Sequence, residues 1–445
     1  MSYALAIQQL GAMAPELHTK PGQIRRKFSL DEMRLLLGAL GDPHLRFPVV
    51  LIAGTNGKGS TAATLASILD ASGSRTGLYT SPHLSRINER IRVAGSEIAD
   101  SEFGELFHEV EAAATDLVKS GRLPQFPSFF EFVTAMAFLH FARARVDLAV
   151  LEVGMGGRLD ATNVVEPLLS IVTDISLDHT EWLGSTISAI TREKAGILRR
   201  NGTLITLAQH PEANLVLGEV AAELDVRGVN AGAYMPLTQV ASETGYSVEV
   251  FGEQVEVASP LIGLHQQRNI ALAIAAAVEL AEVQGLPINA AAIAVGIRQT
   301  RWPGRLERIE REGLTWILDV AHNPAGAWAL RSGLNGTVGE RSPRVLVFGC
   351  LRDKPLQEMA RILFSEFDHV IFAPIDSPRA VSLESLLSAA SSLGTPARAA
   401  SSIPEALDWA ARQGAGGVVV VSGSVYLVGA VRSILLGEGG GHLAS

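Results

Sequence analysis

The chain of 445 residues has one cysteine, Cys350. That excludes an internal disulfide framework and a thiolate zinc cluster, and it fits a reducing compartment. No apolar run approaches the roughly 20 residues that a membrane-spanning helix needs. The opening stretch, MSYALAIQQLGAMAPELHTK, has neither a basic start nor a long apolar segment, so no signal peptide is expected. A basic excess is missing as well. Lys and Arg number 37 against 46 Asp and Glu, a net charge of -9, so a nucleic-acid-binding face is not expected. Only 19% of residues are charged and 47% are hydrophobic, which excludes wholesale disorder. Internal repeats are absent. The length exceeds one ordinary core and predicts more than one domain. A soluble cytoplasmic protein is the expectation, with neither nucleic acid nor membrane as partner.

What is present is alternation. Residues 49–52 read as an apolar strand running into a glycine-rich turn. Residues 61–69 follow with helical composition, and Gly73 is suited to cap that helix. A strand at 76–80 ends at Ser81-Pro82, and helices are expected over 103–119 and 129–142. The run 146–153 is apolar except for Asp147 and Glu152, and 168–173 is another buried-type strand. Strands alternating with helices predict a parallel sheet wrapped by helices. The segment YSVEVFGEQVEV at 246–257 reads as a hairpin added at the sheet edge. A helix over 269–284 follows. A second α/β series begins after Thr300, with strands near 316–320, 345–348, 370–373 and 418–421. The predicted architecture is α/β. Residues 1–297 form a P-loop domain with a mostly parallel sheet and a small antiparallel ribbon, and residues 298–445 form a Rossmann-like unit. Residues 437–441 read as a frayed tail.

Strand, then Gly54-Thr55-Asn56-Gly57-Lys58-Gly59-Ser60, then helix is the physical recipe for a nucleotide phosphate site. Glycines let backbone N–H groups turn toward one anion, and the helix N-terminus adds partial positive charge. Lys58 can reach the β and γ phosphates, and the Ser60 hydroxyl can ligate Mg²⁺. Gly59 separates them, which departs from the standard pattern, and a tight glycine turn without a ligand is the bland alternative. Glu152 ends a buried strand, where open α/β sheets place ligands. It suits the support of Mg²⁺ or, alternatively, a cap on the 154–157 turn. Asp174 and the pair Asp178-His179 follow the next strand. Imidazole suits Mn²⁺ better than Mg²⁺, and an ordinary hydrogen-bonded histidine is the usual outcome. Lys194, in a helix expected over 187–198, reads from helix statistics alone as a solvated lysine. Ser81 can face the nucleotide.

Together these segments resemble the folylpolyglutamate synthase and dihydrofolate synthase family, within the Mur ligase superfamily. GTNGKGS at 54–60 is similar to the superfamily's variant phosphate loop. SPHLSRINERIRV at 81–93, FFEFVTAMAF at 129–138, EVGMGGRLDATN at 152–163 and DISLDHTEWLGSTISAITREKAGI at 174–197 follow in the family's order. So do HQQRN at 265–269, WPGRLE at 302–307, DVAHNP at 319–324 and SGSVYLVG at 422–429. The resemblance implies an ATP-dependent ligase that activates a carboxylate as an acyl phosphate and joins L-glutamate to it. The acceptor would be dihydropteroate, tetrahydrofolate polyglutamates, or both.

The resemblance also assigns residues. It implies ATP contacts at Asn56, Gly57, Lys58, Gly59, Ser60, Thr61, Asn269, Arg305, Asp319 and His322. It implies two Mg²⁺ sites around Ser60, Ser81, Glu152, His179 and Lys194, the lysine being carbamylated in many relatives. Lys58, His179 and Lys194 form the implied catalytic set. Ser128, Phe129, Phe130, Glu131, Leu159, Asp160 and Ala161 are the implied acceptor-side residues. Read without the family, Phe130 is a core phenylalanine and Asp160 a turn aspartate. The implied enzyme is a monomer whose site lies between its two domains. One departure stands out: Phe28-Ser29-Leu30-Asp31-Glu32 replaces a glycine-containing segment that borders the pterin in relatives, so residues 26–28 carry over only weakly. The rival readings are polyglutamylation alone, another Mur-type ligase, and a nucleotide-dependent switch.

Overall fold

The computed structural model describes residues 2–13, 29–236, 245–337, 339 and 342–437. Residues 26–28 and the expected tail beyond Gly437 lie outside them. Among the described residues no helix is long and apolar enough to cross a membrane.

The first sheet comprises β1 Val49–Ala53, β2 Thr76–Tyr79, β3 Ile91–Val93, β4 Ser96–Glu97, β5 Leu148–Glu152, β6 Leu169–Val172, β7 Thr203–Thr206 and β8 Arg227–Asn230. Their order is β4-β3-β2-β5-β1-β6-β7-β8, parallel from β2 to β8, with β3 and β4 antiparallel at one edge. The central strands are continuous apolar runs because both faces are covered. Val49, Leu51 and Ala53 of β1 join one core cluster while Val50 and Ile52 join the other. A second sheet carries β11 Glu307–Arg311, β12 Leu314–Leu318, β13 Arg344–Phe348, β14 His369–Phe372, β15 Ala397–Ala399 and β16 Val418–Ser422. Its order is β11-β12-β16-β13-β14-β15, and all of it is parallel except β11. The short strands at or next to the sheet edges, β3, β4, β7, β8, β11 and β15, are not among those read from the sequence. The boundary at residue 298 falls in the last turn of the helix Ala290–Gln299.

The hairpin expected at the sheet edge, β9 Tyr246–Val250 with β10 Glu253–Val257, instead forms a two-stranded sheet of its own. Val248, Val250, Val255 and Val257 are all buried in one core cluster with residues of the helices Leu264–Glu282 and Ala290–Gln299. A ribbon with one apolar face is satisfied by packing on a helical layer and needs no ladder to the main sheet. The helix over 269–284 begins earlier than expected, at Leu264. That shift places His265, Gln266 and Asn269 in its first turns.

The helices Lys58–Ala71 and Ala290–Gln299 cross closely at Gly296. A Cβ there would lie 2.4 Å from Ile68 Cα, and Ser67 Oγ donates to Gly296 O at 2.7 Å. The neighbour is backbone and cannot rotate away. Gly296→Ala should destabilise the first unit by about 3 kcal/mol and lower the thermal midpoint by several degrees. Gly218, on the helix Pro211–Glu223, has open space around it. Gly218→Ala should leave the midpoint unchanged or raise it slightly. Equal effects at the two positions would refute the close crossing.

Candidate active site

The carboxyl ends of β1, β5 and β6 converge on a cavity of about 540 Å³ that the second unit also walls. β1 runs into Gly54, with φ of +152°, and Gly57, with φ of +91°, precedes the helix Lys58–Ala71 as a cap with no side-chain bond. Both positions demand glycine. A Cβ at Gly54 would meet Thr173 Oγ1 at 1.8 Å, and one at Gly57 would meet Asn269 Oδ1 at 2.2 Å. The N–H groups of Thr55 and Asn56 donate to Asp174 O at 2.9 and 3.2 Å, and Thr173 Oγ1 donates to Asn56 O at 2.7 Å. Arg268 in turn clamps the Asp174 carboxylate with Nε at 2.8 Å and Nη2 at 2.6 Å. The loop is therefore set by its neighbours while the uncapped helix N-terminus faces the cavity, an arrangement that favours phosphate. Asn56, Gly57, Lys58, Gly59 and Ser60 line the cavity, whereas Thr61 is fully buried beneath it.

Lys194 is not the solvated lysine that helix statistics predict. It is 4% exposed, and its Nζ donates to Gly54 O at 2.7 Å. Periodicity reports which face of a helix a residue occupies but not which loop covers that face. Lys58 Nζ reaches the same carbonyl and Thr55 O, both at 3.2 Å. Burial, with repulsion from Lys58, pushes Lys194 down to about 7. Burial also pushes His179 down to about 4, leaving it neutral and able to ligate at neutral pH. The buried Glu152 accepts a hydrogen bond from the Ser81 N–H at 3.1 Å. Burial raises its carboxyl, although Lys58, Arg305 and Arg90 pull the other way.

A hard cation would offset that burial. Ser60, Ser81 and Glu152 all line the cavity and offer the oxygen donors that Mg²⁺ prefers. Among the described residues no group of three or more His, Cys, Asp or Glu could hold an ion by itself. Hydroxyls and nucleotide oxygens would have to complete any shell.

The second unit supplies Arg305, Asp319 and His322 to the cavity wall. Asp319 accepts from the N–H groups of Leu306 and Ala321 at 3.0 and 2.9 Å, which ties the segment carrying Arg305 to the 319–324 turn. Burial pulls Arg305 down and pushes Asp319 up, each moderated by the other. Two residues that sequence reasoning did not single out join the units here. Lys354 Nζ pairs with Asp178 Oδ1 at 2.7 Å, both side chains being under a tenth exposed, and Asn323 Nδ2 donates to Asp178 Oδ2 at 3.1 Å. Burial works against charge on Asp178. His322 at 3.7 Å, His179 and Lys354 outweigh it and hold the carboxyl well below the usual carboxylate range.

At the other end, Phe129 and Phe130 line the cavity with Leu10 and Met13 from the N-terminal helix. Arg90 lies 5.0 Å from the Phe129 ring centroid and donates from Nε to His83 Nδ1 at 2.9 Å. The other acceptor-side residues are not on the cavity wall. Ser128 and Glu131 are buried in a reciprocal cap on the helix Phe129–Ala144, with Ser128 N–H on Glu131 Oε2 at 2.8 Å. Asp160 accepts from Met155 N–H at 2.9 Å on one oxygen and from Thr162 N–H at 3.0 Å on the other. Leu159 and Ala161 flank it, outside the wall. Ser128, Glu131 and Asp160 thus make the helix-cap and turn bonds that their residue types and spacing favour.

Residues 52–277 match the Mur ligase middle domain, and residues 304–425 match the Mur ligase, glutamate ligase domain. The chain is thus an ATP-dependent amide-bond ligase of the Mur type. It is 34% identical to the dihydrofolate synthase/folylpolyglutamate synthase of Bacillus subtilis, over 92% of this chain and 95% of that one. It is 36% identical to a probable bifunctional folylpolyglutamate synthase/dihydropteroate synthase of Haloferax volcanii, over 91% of this chain, and spans about half, 48%, of that relative's length. A Mycobacterium tuberculosis folylpolyglutamate synthase complexed with ADP and AMPPCP superposes with a TM-score of 0.86 at 33% identity, covering 97% of this chain and 99% of that one. Escherichia coli FolC in complex with DHPP and ADP does so with a TM-score of 0.84 at 32% identity, covering 98% of each. The chain belongs to the folylpolyglutamate synthase/dihydrofolate synthase family.

Two outcomes follow from the site's geometry. Between about 7 and the ordinary 10.5, the unfolded chain holds a proton on Lys194 that the folded chain does not. This residue therefore makes stability rise with pH across that window. In CO₂-free buffer, Lys194→Met should be most stabilising relative to wild type at pH 7 and below, and the difference should shrink as pH approaches 10. A difference that is flat with pH would show that Lys194 is not held neutral. Asp160→Ala should cost about 2 kcal/mol of stability, because two buried N–H groups lose their partner. Its effects on acceptor and nucleotide affinity should be similar, and a selective loss of acceptor affinity would overturn the structural assignment.

Proposed function

We propose that the protein joins L-glutamate to dihydropteroate and to tetrahydrofolate polyglutamates through an acyl phosphate formed with ATP. The observation that carries this reading is one cavity with two chemically different ends. Its phosphate end holds the loop, Lys58 and Arg305, and its other end is walled by Phe129, Phe130 and the stacked Arg90. The ADP and DHPP of the Escherichia coli relative fit those two kinds of surface in chemical character.

In this reading a carboxylate oxygen of the acceptor attacks the γ phosphorus, and the bond to ADP breaks. Lys58 and Arg305 stabilise the charge on the transferring group. The neutral amine of glutamate then attacks the acyl carbon, and phosphate leaves. Mg²⁺, held by Ser60, Ser81 and Glu152, would add positive charge at the phosphates, with His179 and Lys194 beside a second ion. Lys194 is half deprotonated near pH 7, and the neutral amine is the form that combines with CO₂. A carbamate there would replace a buried cation with an anion next to Lys58. Lys354 and Arg379 also line the second unit's wall, paired at 2.7 Å with Asp178 and Asp353 respectively. The expected nucleotide contacts of Asn56 to Ser60, Asn269, Arg305, Asp319 and His322 are retained, with Thr61 acting from below. We place the domain boundary at 297/298 and read the protein as a cytoplasmic monomer. Polyglutamylation alone is the second reading, favoured by the altered segment that ends in Ser29-Leu30-Asp31-Glu32.

Phosphate release with ATP, Mg²⁺ and L-glutamate, compared between 7,8-dihydropteroate and tetrahydrofolate, tests both readings. Turnover with both acceptors is expected. Turnover with tetrahydrofolate alone would leave polyglutamylation, and ATP hydrolysis that needs no acceptor would point to a switch. Lys58→Ala should lower turnover by about 100-fold or more. Near-normal turnover in that variant would refute the phosphate-loop assignment.

A further inference from the structure

Asn323 is 1% exposed and immediately precedes the helix Pro324–Thr337 of the second unit. Its Oδ1 accepts from the Gly326 N–H at 2.8 Å. A backbone N–H can only donate, so this bond fixes the orientation of the amide and leaves both Nδ2 protons for other partners. They go to the first unit. One donates to Asn56 Oδ1 at 2.9 Å and the other to Asp178 Oδ2 at 3.1 Å. Asn56 belongs to the phosphate loop, and its own Nδ2 donates to Ser176 Oγ at 3.1 Å. Asp178 directly precedes His179. One side chain of the second unit therefore ties together two loops of the first.

We propose that Asn323 is a positioning residue for the ligation. By seating both N–H groups, the second unit sets the phosphate loop and the Asp178–His179 turn in register. The unit that supplies Lys354 and Arg379 thereby completes the phosphate-transfer geometry. No other side chain meets the same demand. Aspartate has no donor and would face the Asp178 carboxylate, while alanine leaves Asn56 Oδ1 and Asp178 Oδ2, both partly shielded from water, each one partner short. Nucleotide affinity should depend on Asn323 much less than turnover does. When Asn323 is removed the loop keeps its bonds within the first unit, to Asp174 O, from Thr173 and to Ser176 O, so its anion-binding shape is retained even as its mobility rises.

The kinetic half of the test rests on the ligase reading, and the other half does not. In the full chain, Asn323→Ala should lower kcat by about 30-fold, as expected for the loss of buried hydrogen bonds. The Kd for ADP should stay within about threefold of wild type. Asn323→Asp should be worse than alanine. Combining it with Asp178→Asn reverses the polarity of the bond, and Asn56 can follow by flipping its amide against the Ser176 hydroxyl. That pair should recover at least about tenfold in kcat over Asn323→Asp alone. A kcat within about twofold of wild type for Asn323→Ala would overturn the proposal. So would an ADP Kd that weakens in step with kcat, or a reversed pair no better than the single variant. If the wild-type chain shows no turnover with folate acceptors, the ligase reading fails but the positioning claim is still read from hydrogen exchange of the ADP complex. Asn323→Ala should speed exchange over both 54–60 and 174–180, and unchanged exchange in either segment would sink the claim.

Discussion

Two ammonium groups converge on one carbonyl oxygen. Lys58 and Lys194 both donate to Gly54 O, at 3.2 and 2.7 Å, within a largely buried cleft. That carbonyl can point where it does only because residue 54 is glycine, held at φ of +152° with Thr173 Oγ1 in the space a Cβ would take. Two like charges at a desolvated point are unfavourable unless one is lost or an anion is added. The lowered pKa of Lys194 is the ligand-free answer, and a polyphosphate in the loop is the other. Much of the site follows from this constraint. Thr55 and Asn56 hand their N–H groups to Asp174 O, leaving the helix N-terminus as the positive surface that faces outward.

The same logic extends across the cavity. Burial pushes Glu152 and Asp319 up and Arg305 and Lys194 down, so the acids and bases are each displaced toward neutrality. Such a cleft is well suited to a polyanion with a hard cation, the one favouring the charged forms of Arg305 and Lys194 and the other that of Glu152. Asp178 is the exception. His322, His179 and Lys354, the last pairing with it at 2.7 Å from the second unit, outweigh its burial and hold its carboxyl well below the usual carboxylate range. The two units therefore meet through a buried ion pair and the amide of Asn323 beside the phosphate loop.

Legibility in the sequence divides along the same line. The strand, glycine turn and helix of 49–71 are contiguous, and their chemistry is local, so the phosphate loop could be read from residue types alone. Glu152 could be read because an acid that ends an apolar run must answer for its burial. Lys194 could not, since its burial depends on a loop 140 residues earlier in the chain. Lys354 and Asn323 act through contacts that only the docking of two sheets creates. The hairpin 246–257 was legible as a hairpin from its alternation, but alternation says nothing about which layer receives the apolar face. Ser128, Glu131 and Asp160 show the opposite limit. Family likeness points to the acceptor, while their cap and turn geometry commits their oxygens to nearby backbone and hydroxyl groups.

The apolar end of the cavity and its phosphate-loop end are built differently. The phosphate end is made of backbone and short loops locked to the main sheet, so its geometry tolerates little change. The apolar end is assembled from side chains of distant segments: Leu10 and Met13 from the N-terminal helix, Arg90 over Phe129, and Phe130 packed against Gly154. A Cβ at Gly154 would come within 2.5 Å of the Phe130 ring. Side chains on separate segments can shift without moving the glycine loop at the other end. A family with one chemistry and more than one acceptor needs that separation, because selectivity can then drift at one end while the charge arrangement at the other stays fixed.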